Sequence, residues 1–136
     1  MSIVNYLGCN FTLPLSNQES GEEILIGGNY FSDEEMRENV RKQFSTKYIY
    51  EVTSKKFGSI WFDKDYENDY SEQHKNFQAL CELLETYLTE GDYCELYTCW
   101  LGDESDEKEI EQTITLNNFD INNINLCTNS LITLMK

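Results

Sequence analysis

Apolar and polar side chains alternate along most of this chain, and such alternation is typical of half-buried β-strands. Pro14 ends the first alternating segment, which starts at Ile3. Turn residues separate the later segments, and Ser54, Lys55 and Lys56 stand where a hairpin turn is expected. The predicted strands cover residues 3–13, 24–26, 47–53, 58–62, 93–101, 110–116 and one or two pieces of 124–135.

Two segments follow helical spacing instead. In the first, Ser32 and Glu35 form a capping box, and Phe31 and Met36 stand in the positions of a hydrophobic staple. In the second, apolar residues recur at i, i+3, i+4 and i+7, which is the spacing of one buried helix face. Gly91 follows this second helix at the position of a C-terminal cap. The apolar positions of the second helix are Phe77, Leu80, Cys81, Leu84 and Leu88.

The order of these segments predicts one α+β domain that spans residues 1–136. We expect a mainly antiparallel sheet of about six or seven strands with two helices packed on one face. A chain of 136 residues is long enough to bury a hydrophobic core without disulfides or metals. The sequence contains no internal repeat and no linker.

The net charge changes the picture of the possible partners. It is −15 at pH 7, and a field of this sign repels nucleic acid and anionic membrane surfaces. The charge is uneven, because the segment 37–56 holds six basic and two acidic residues, whereas the rest holds four basic and twenty-three acidic ones. We therefore expect no nucleic-acid or membrane partner, and a basic protein as the partner.

The cysteines indicate a cytoplasmic protein without a cofactor. They are scattered, no CxxC pair occurs, and His74 is the single histidine, so a zinc site has almost no ligands. Free thiols in a small domain fit a reducing compartment. The first residues lack the pattern of a signal peptide, and no segment reaches transmembrane length. The five cysteines are Cys9, Cys81, Cys94, Cys99 and Cys127.

The segment DYCELYTCWLGDESDEKEIE, residues 92–111, is the first candidate site. Cys94 and Cys99 point to opposite sides of an extended strand and cannot bind one metal ion. We expect Tyr97 to face outward and Trp100 to face inward with Leu96. Aromatic residues beside acidic ones are typical of protein interfaces, although a solvated turn is the alternative. The expected partner-binding residues are Tyr93, Glu95, Tyr97, Asp103, Glu104, Asp106 and Glu107.

The acidic connector DKDYENDY, residues 63–70, is the second candidate. Its oxygens stand at positions 1, 3, 5 and 7 of a calcium loop, but Asn68 replaces the glycine and His74 replaces the bidentate glutamate of an EF-hand. A negatively charged helix entrance is the simpler interpretation. The carboxylates of the alternative metal site are Asp63, Asp65, Glu67 and Asp69.

Catalytic motifs are absent from the sequence. It contains no GxSxG nucleophile motif, no phosphate-binding loop and no paired cysteine–histidine signature. His74 would need a nucleophile within reach to act as a base, and none is indicated. We therefore expect a protein that is not an enzyme.

In size, acidity, cytoplasmic character and single α+β domain, the chain resembles the small immunity proteins of bacterial toxin systems. The resemblance extends over the whole chain in general character, and no short motif carries it. It implies a stoichiometric inhibitor whose acidic face occupies a basic toxin domain such as a nuclease. We expect the chain to be a monomer or weak dimer. The alternative hypothesis is a small regulatory protein that binds a divalent cation or another ligand.

Overall fold

The computed structural model describes residues 2–16, 21–55 and 58–136. No helix in these ranges is both long enough and apolar enough to cross a membrane. The described residues form six strands, two α-helices and one short 3₁₀ helix. In chain order these are β1 (Ile3–Cys9), β2 (Ile24–Gly27), α1 (Glu34–Arg41), β3 (Tyr48–Ser54), α2 (Ser71–Tyr87), β4 (Tyr93–Trp100), β5 (Ile110–Thr115), the 3₁₀ turn Ile121–Asn123 and β6 (Ser130–Met135).

The six strands form one sheet in the order β2-β3-β1-β4-β6-β5. All neighbours are antiparallel except β5 and β6, which run parallel. The predicted α+β class and its mainly antiparallel sheet are therefore confirmed. The segment 93–116 is not a hairpin, because β6 lies between β4 and β5, and residues 101–109 cross over it.

The two helices lie on opposite faces of the sheet, which corrects the prediction that both pack on one face. Side chains of α2, such as Leu84, pack with Leu7 of β1. Val40, the buried residue of α1, packs instead with Tyr6, the neighbour of Leu7. Because adjacent residues of a strand point to opposite faces, each helix covers its own side.

The start of α1 differs from the predicted capping box. Asp33 is the N-cap, and its Oδ1 accepts a hydrogen bond from the Met36 N–H at 2.8 Å. The Ser32 hydroxyl donates instead to Glu51 on β3. Because the Ser32 hydroxyl is hydrogen-bonded to the buried Glu51 carboxylate, it does not cap the helix, and Asp33 does so instead.

The predicted apolar face of α2 is confirmed, since all five of its predicted residues are buried. The helix ends at Tyr87, before the predicted glycine cap. Gly91 lies in the following turn with a φ of 93°, a left-handed conformation that favours glycine. Its N–H donates to the Lys136 carbonyl at 3.0 Å, which fastens this turn to the end of the chain.

The predicted strand 58–62 is absent, and the predicted turn residue Lys56 lies outside the described residues. Ile60 is bound by the buried side chain of Asn5 in β1. The Nδ2 of Asn5 donates to the Ile60 carbonyl at 2.9 Å and to Thr98 Oγ1 at 2.9 Å, and its Oδ1 accepts from the Ile60 N–H at 2.7 Å. Two residues later, Phe62 exchanges backbone hydrogen bonds with Leu126. These contacts fix the position of the chain between Ile60 and Phe62.

Candidate functional site

The structure buries three of the seven expected partner-binding residues between positions 93 and 107. Tyr97 is 0% exposed, Glu95 5% and Glu104 1%. The expectation that Tyr97 faces outward is therefore wrong, because α1 and the loops beside it cover this face of the sheet as well. Of the remaining expected residues, Tyr93 and Asp103 are half-buried, while Asp106 and Glu107 are exposed.

Glu95 is a structural acceptor. Its Oε1 accepts hydrogen bonds from the Ser45 N–H at 2.9 Å, the Ser45 hydroxyl at 3.0 Å and the Thr46 N–H at 3.1 Å. These hydrogen bonds attach the loop between α1 and β3 to the sheet. A buried carboxylate that accepts three hydrogen bonds from one loop is held in place and is not free to contact a partner.

The loop after β4 is also fastened to the sheet. Glu104 accepts from the Tyr6 hydroxyl at 3.1 Å and from the Gly102 N–H at 3.0 Å, while Gln43 donates to the carbonyls of Glu104 and Asp106 at 3.0 and 2.7 Å. Burial and the neighbouring Glu104 carboxylate raise the pKa of Tyr6 far above its usual range. Tyr6 therefore remains a neutral donor. The loop 102–106 is held against the sheet by the buried Glu104, while Gly102, Ser105 and Asp106 remain exposed.

The four carboxylates of the alternative metal site do not converge. Asp63 Oδ1 accepts from the Asp65 N–H at 3.0 Å, and Asp69 Oδ1 accepts from the hydroxyl and the N–H of Ser71. These Ser71 hydrogen bonds, the hydroxyl first, lower the pKa of Asp69. Within the described ranges, no group of three histidine, cysteine or acidic residues could hold a metal ion.

An open groove lies beside the same connector, at the end of the sheet where β1 begins and β4 ends. Its volume is about 470 Å³. Four aromatic side chains and two carboxylates line it, and no lysine or arginine is among the described residues that line it. Lys64, beside Asp63, lines the neighbouring groove instead. We call it the aromatic groove. Its aromatic residues are Trp61, Tyr66, Tyr70 and Trp100, and its carboxylates are Asp63 and Glu67.

Long-range contacts bring these aromatic residues together. Trp100 is the last residue of β4 and lies opposite Ile3 of β1, which also lines the groove. Trp61 follows Ile60, which Asn5 holds, and its ring meets Tyr70 edge-on with centroids 5.7 Å apart. Trp100 shares a face with Leu96, as predicted, but it lies at the rim and is half-buried.

The connector separates the aromatic groove from a second groove of about 350 Å³. Tyr66, Tyr70, Asp63 and Glu67 line both grooves, and Tyr66 is 72% exposed. His74 lines the second groove and packs edge-on against Phe62, with ring centroids 4.6 Å apart. His74 is thus half-buried among aromatic rings.

The sequence does contain a signal for the aromatic groove. In WFDKDYENDY, residues 61–70, three of the groove's four aromatic residues alternate with acidic ones. The acidic residues of this segment alone would indicate a metal site, whereas the aromatic residues between them indicate the groove. The fourth aromatic residue, Trp100, is distant in sequence and is brought in by strand pairing.

No protein-family model, curated protein or solved structure matches this chain. The chemistry of the groove follows from its own side chains. Aromatic faces and carboxylates both attract cations, and they do so more strongly where part of the water is excluded.

Proposed function

We propose that this chain is a non-enzymatic acidic binding protein that inhibits a basic protein by occupying its surface. An immunity-type protein that neutralises a bacterial toxin domain, such as a nuclease, is the form of this function that fits best. The cytoplasmic location predicted from the free thiols is part of the proposal. The single observation that carries it is the aromatic groove, where the half-buried Asp63 and the exposed Glu67 border both tryptophans of the chain.

The exposed acids and the aromatic residues have different tasks in such a complex. A protein with a net charge of −15 attracts a basic partner over several ångströms and accelerates the encounter. Charges at the rim contribute mainly to the association rate. Aromatic side chains such as Trp61 and Trp100 bury a large apolar area, and they therefore prolong the lifetime of the complex.

The use of the buried carboxylates favours binding over catalysis. Glu51, Glu95 and Glu104 are buried, and each accepts hydrogen bonds from loop residues. A general acid or base must instead reach a reacting group in a shaped pocket. The exposed acids of the connector lie on an open surface, which suits contact with a macromolecule better than chemistry on a small substrate.

Co-purification from the native host, followed by mass spectrometry, tests the proposal. We expect a basic protein in a 1:1 complex that high salt dissociates, because exposed charges contribute to its formation. The captured protein should be toxic when it is expressed alone and harmless when it is expressed together with this chain. Capture of a protein that is not toxic would contradict the immunity-type function.

Matched variants test whether the connector carries the neutralising activity. Asp63→Asn with Glu67→Gln removes two charges at the aromatic groove, and Asp106→Asn with Glu107→Gln removes two exposed charges elsewhere. Both pairs change the net charge equally. We expect protection from the toxin to weaken in the first pair and to persist in the second. Equal loss in both pairs would show that only the total charge matters.

A further inference from the structure

We infer that the aromatic groove is a subsite for one arginine side chain of the basic partner. The inference deepens the proposed function and rests on it. Trp61 and Trp100 supply aromatic faces, and Asp63 and Glu67 supply negative charge on the same groove. A flat cation beside an aromatic ring is held by the ring's electrons and, at this rim, also by the carboxylates.

The groove's carboxylates are available to such a cation. Asp63 and Glu67 take part in none of the ion pairs found within the described ranges. The cation–π contact of the described residues is also distant, since it joins Lys47 to Tyr48 on β3. The ion pairs are Arg37–Glu51, Glu72–Lys75 and Lys108–Glu111.

Arginine fits the groove better than lysine. Its guanidinium is planar, stacks on aromatic faces and donates several hydrogen bonds in one plane, so it can contact a ring and a carboxylate together. The lysine ammonium is more strongly hydrated and presents no face to a ring. Tyr66 is well exposed and lines the groove together with both carboxylates, so its ring is accessible to an inserted guanidinium.

The two tryptophans make the test specific, because they are the only ones in the chain and both line the groove. Their indole N–H resonances in a ¹⁵N-labelled sample report on this site. The probes are acetyl-Gly-Arg-Gly-amide and its citrulline analogue, which has a similar shape without the charge. At low ionic strength we expect the arginine peptide to shift both resonances with a dissociation constant on the order of millimolar, as weak exposed contacts give.

Two single variants should weaken this binding. Tyr66→Leu removes an exposed ring and keeps an apolar side chain, and Glu67→Gln removes one charge. Each should raise the dissociation constant about two- to fivefold, which corresponds to one exposed cation–π contact or ion pair. Glu107→Gln, which removes one exposed charge away from the groove, is the matched control for Glu67→Gln and should leave the dissociation constant unchanged. Equal shifts from the citrulline peptide, or unmoved indole resonances, would overturn the arginine subsite.

The outcome also separates this inference from the proposed function. Suppose that the arginine peptide does not bind, while the chain still neutralises a basic toxin and loses this activity when Asp63 and Glu67 are replaced. The subsite is then refuted and the inhibitor function stands. If instead the peptide binds but no toxic partner is neutralised, the subsite is supported and the proposed inhibition is refuted.

Discussion

Among the polar contacts of the fold, the hydrogen bonds between the Asn5 side chain and the Ile60 backbone should contribute most to stability. Asn5→Ala removes three hydrogen bonds of 2.7–2.9 Å and leaves the N–H and carbonyl of Ile60, a residue with 0% exposure, without these partners. Each buried unsatisfied group costs about 1–3 kcal/mol. We therefore expect a loss of about 2–5 kcal/mol in the free energy of unfolding, a large share of the roughly 5–15 kcal/mol of a typical domain.

Urea unfolding followed by circular dichroism measures this loss. Asn117→Ala, at an exposed position, is the matched control and should change the free energy of unfolding by less than about 0.5 kcal/mol. Asn5→Asp keeps an acceptor for the Ile60 N–H but loses the amide donor and places a carboxyl group at a site with 0% exposure, so it should also be destabilising. If Asn5→Ala lowered the free energy of unfolding by less than about 0.5 kcal/mol, the hydrogen bonds of Asn5 would not be what holds Ile60 and the adjoining Trp61 in place.

The remaining stability predictions concern the core and its thiols. Leu84→Ala should cost about 2–5 kcal/mol in urea unfolding because Leu84 is fully buried, and a loss below about 0.5 kcal/mol would show that α2 does not pack as described. Dithiothreitol should leave the Tm unchanged because the five cysteines are free; a shift of several degrees would reveal a disulfide, with Cys9 and Cys94, 3.1 Å apart at their sulfurs, as the first candidates. Burial, with smaller contributions from Glu82 and Glu85, raises the pKa of Cys81 from 9.0 to about 12. The unfolded chain therefore loses this proton first, and the urea midpoint should fall as pH rises above about 9, less steeply in Cys81→Ala; equal slopes in the two proteins would contradict the assignment.

The sequence predicts the elements that carry a strong local pattern. The face of α2 that contains Leu80 and Leu84 follows helical spacing over about three turns, so its burial could be predicted. The helix α1 has eight residues and buries only Val40, so its pattern does not indicate which face of the sheet it covers. The parallel pairing of β5 with β6 depends on a crossover, which alternation within single strands does not encode.

The candidate site was harder to predict, because burial of a carboxylate depends on distant partners. Glu104 is buried because the Tyr6 hydroxyl, 98 residues earlier in the chain, donates to it. Glu107, three residues later, remains exposed in the same acidic segment. Strand parity correctly separates Tyr97 from Trp100, but it cannot show that both faces of the sheet are covered. The residues that stay accessible at the rim, such as Trp100, follow from the tertiary structure alone.

The association rate of the chain with its basic partner tests the central claim most directly. Stopped-flow tryptophan fluorescence can measure it, since Trp61 and Trp100 both lie in the groove. At low salt, Asp63→Asn with Glu67→Gln should slow association severalfold and reduce its salt dependence, because exposed charges act by steering. The matched pair Asp106→Asn with Glu107→Gln should have a clearly smaller effect. Association that slows equally in both pairs, or in neither, would contradict docking at the aromatic groove.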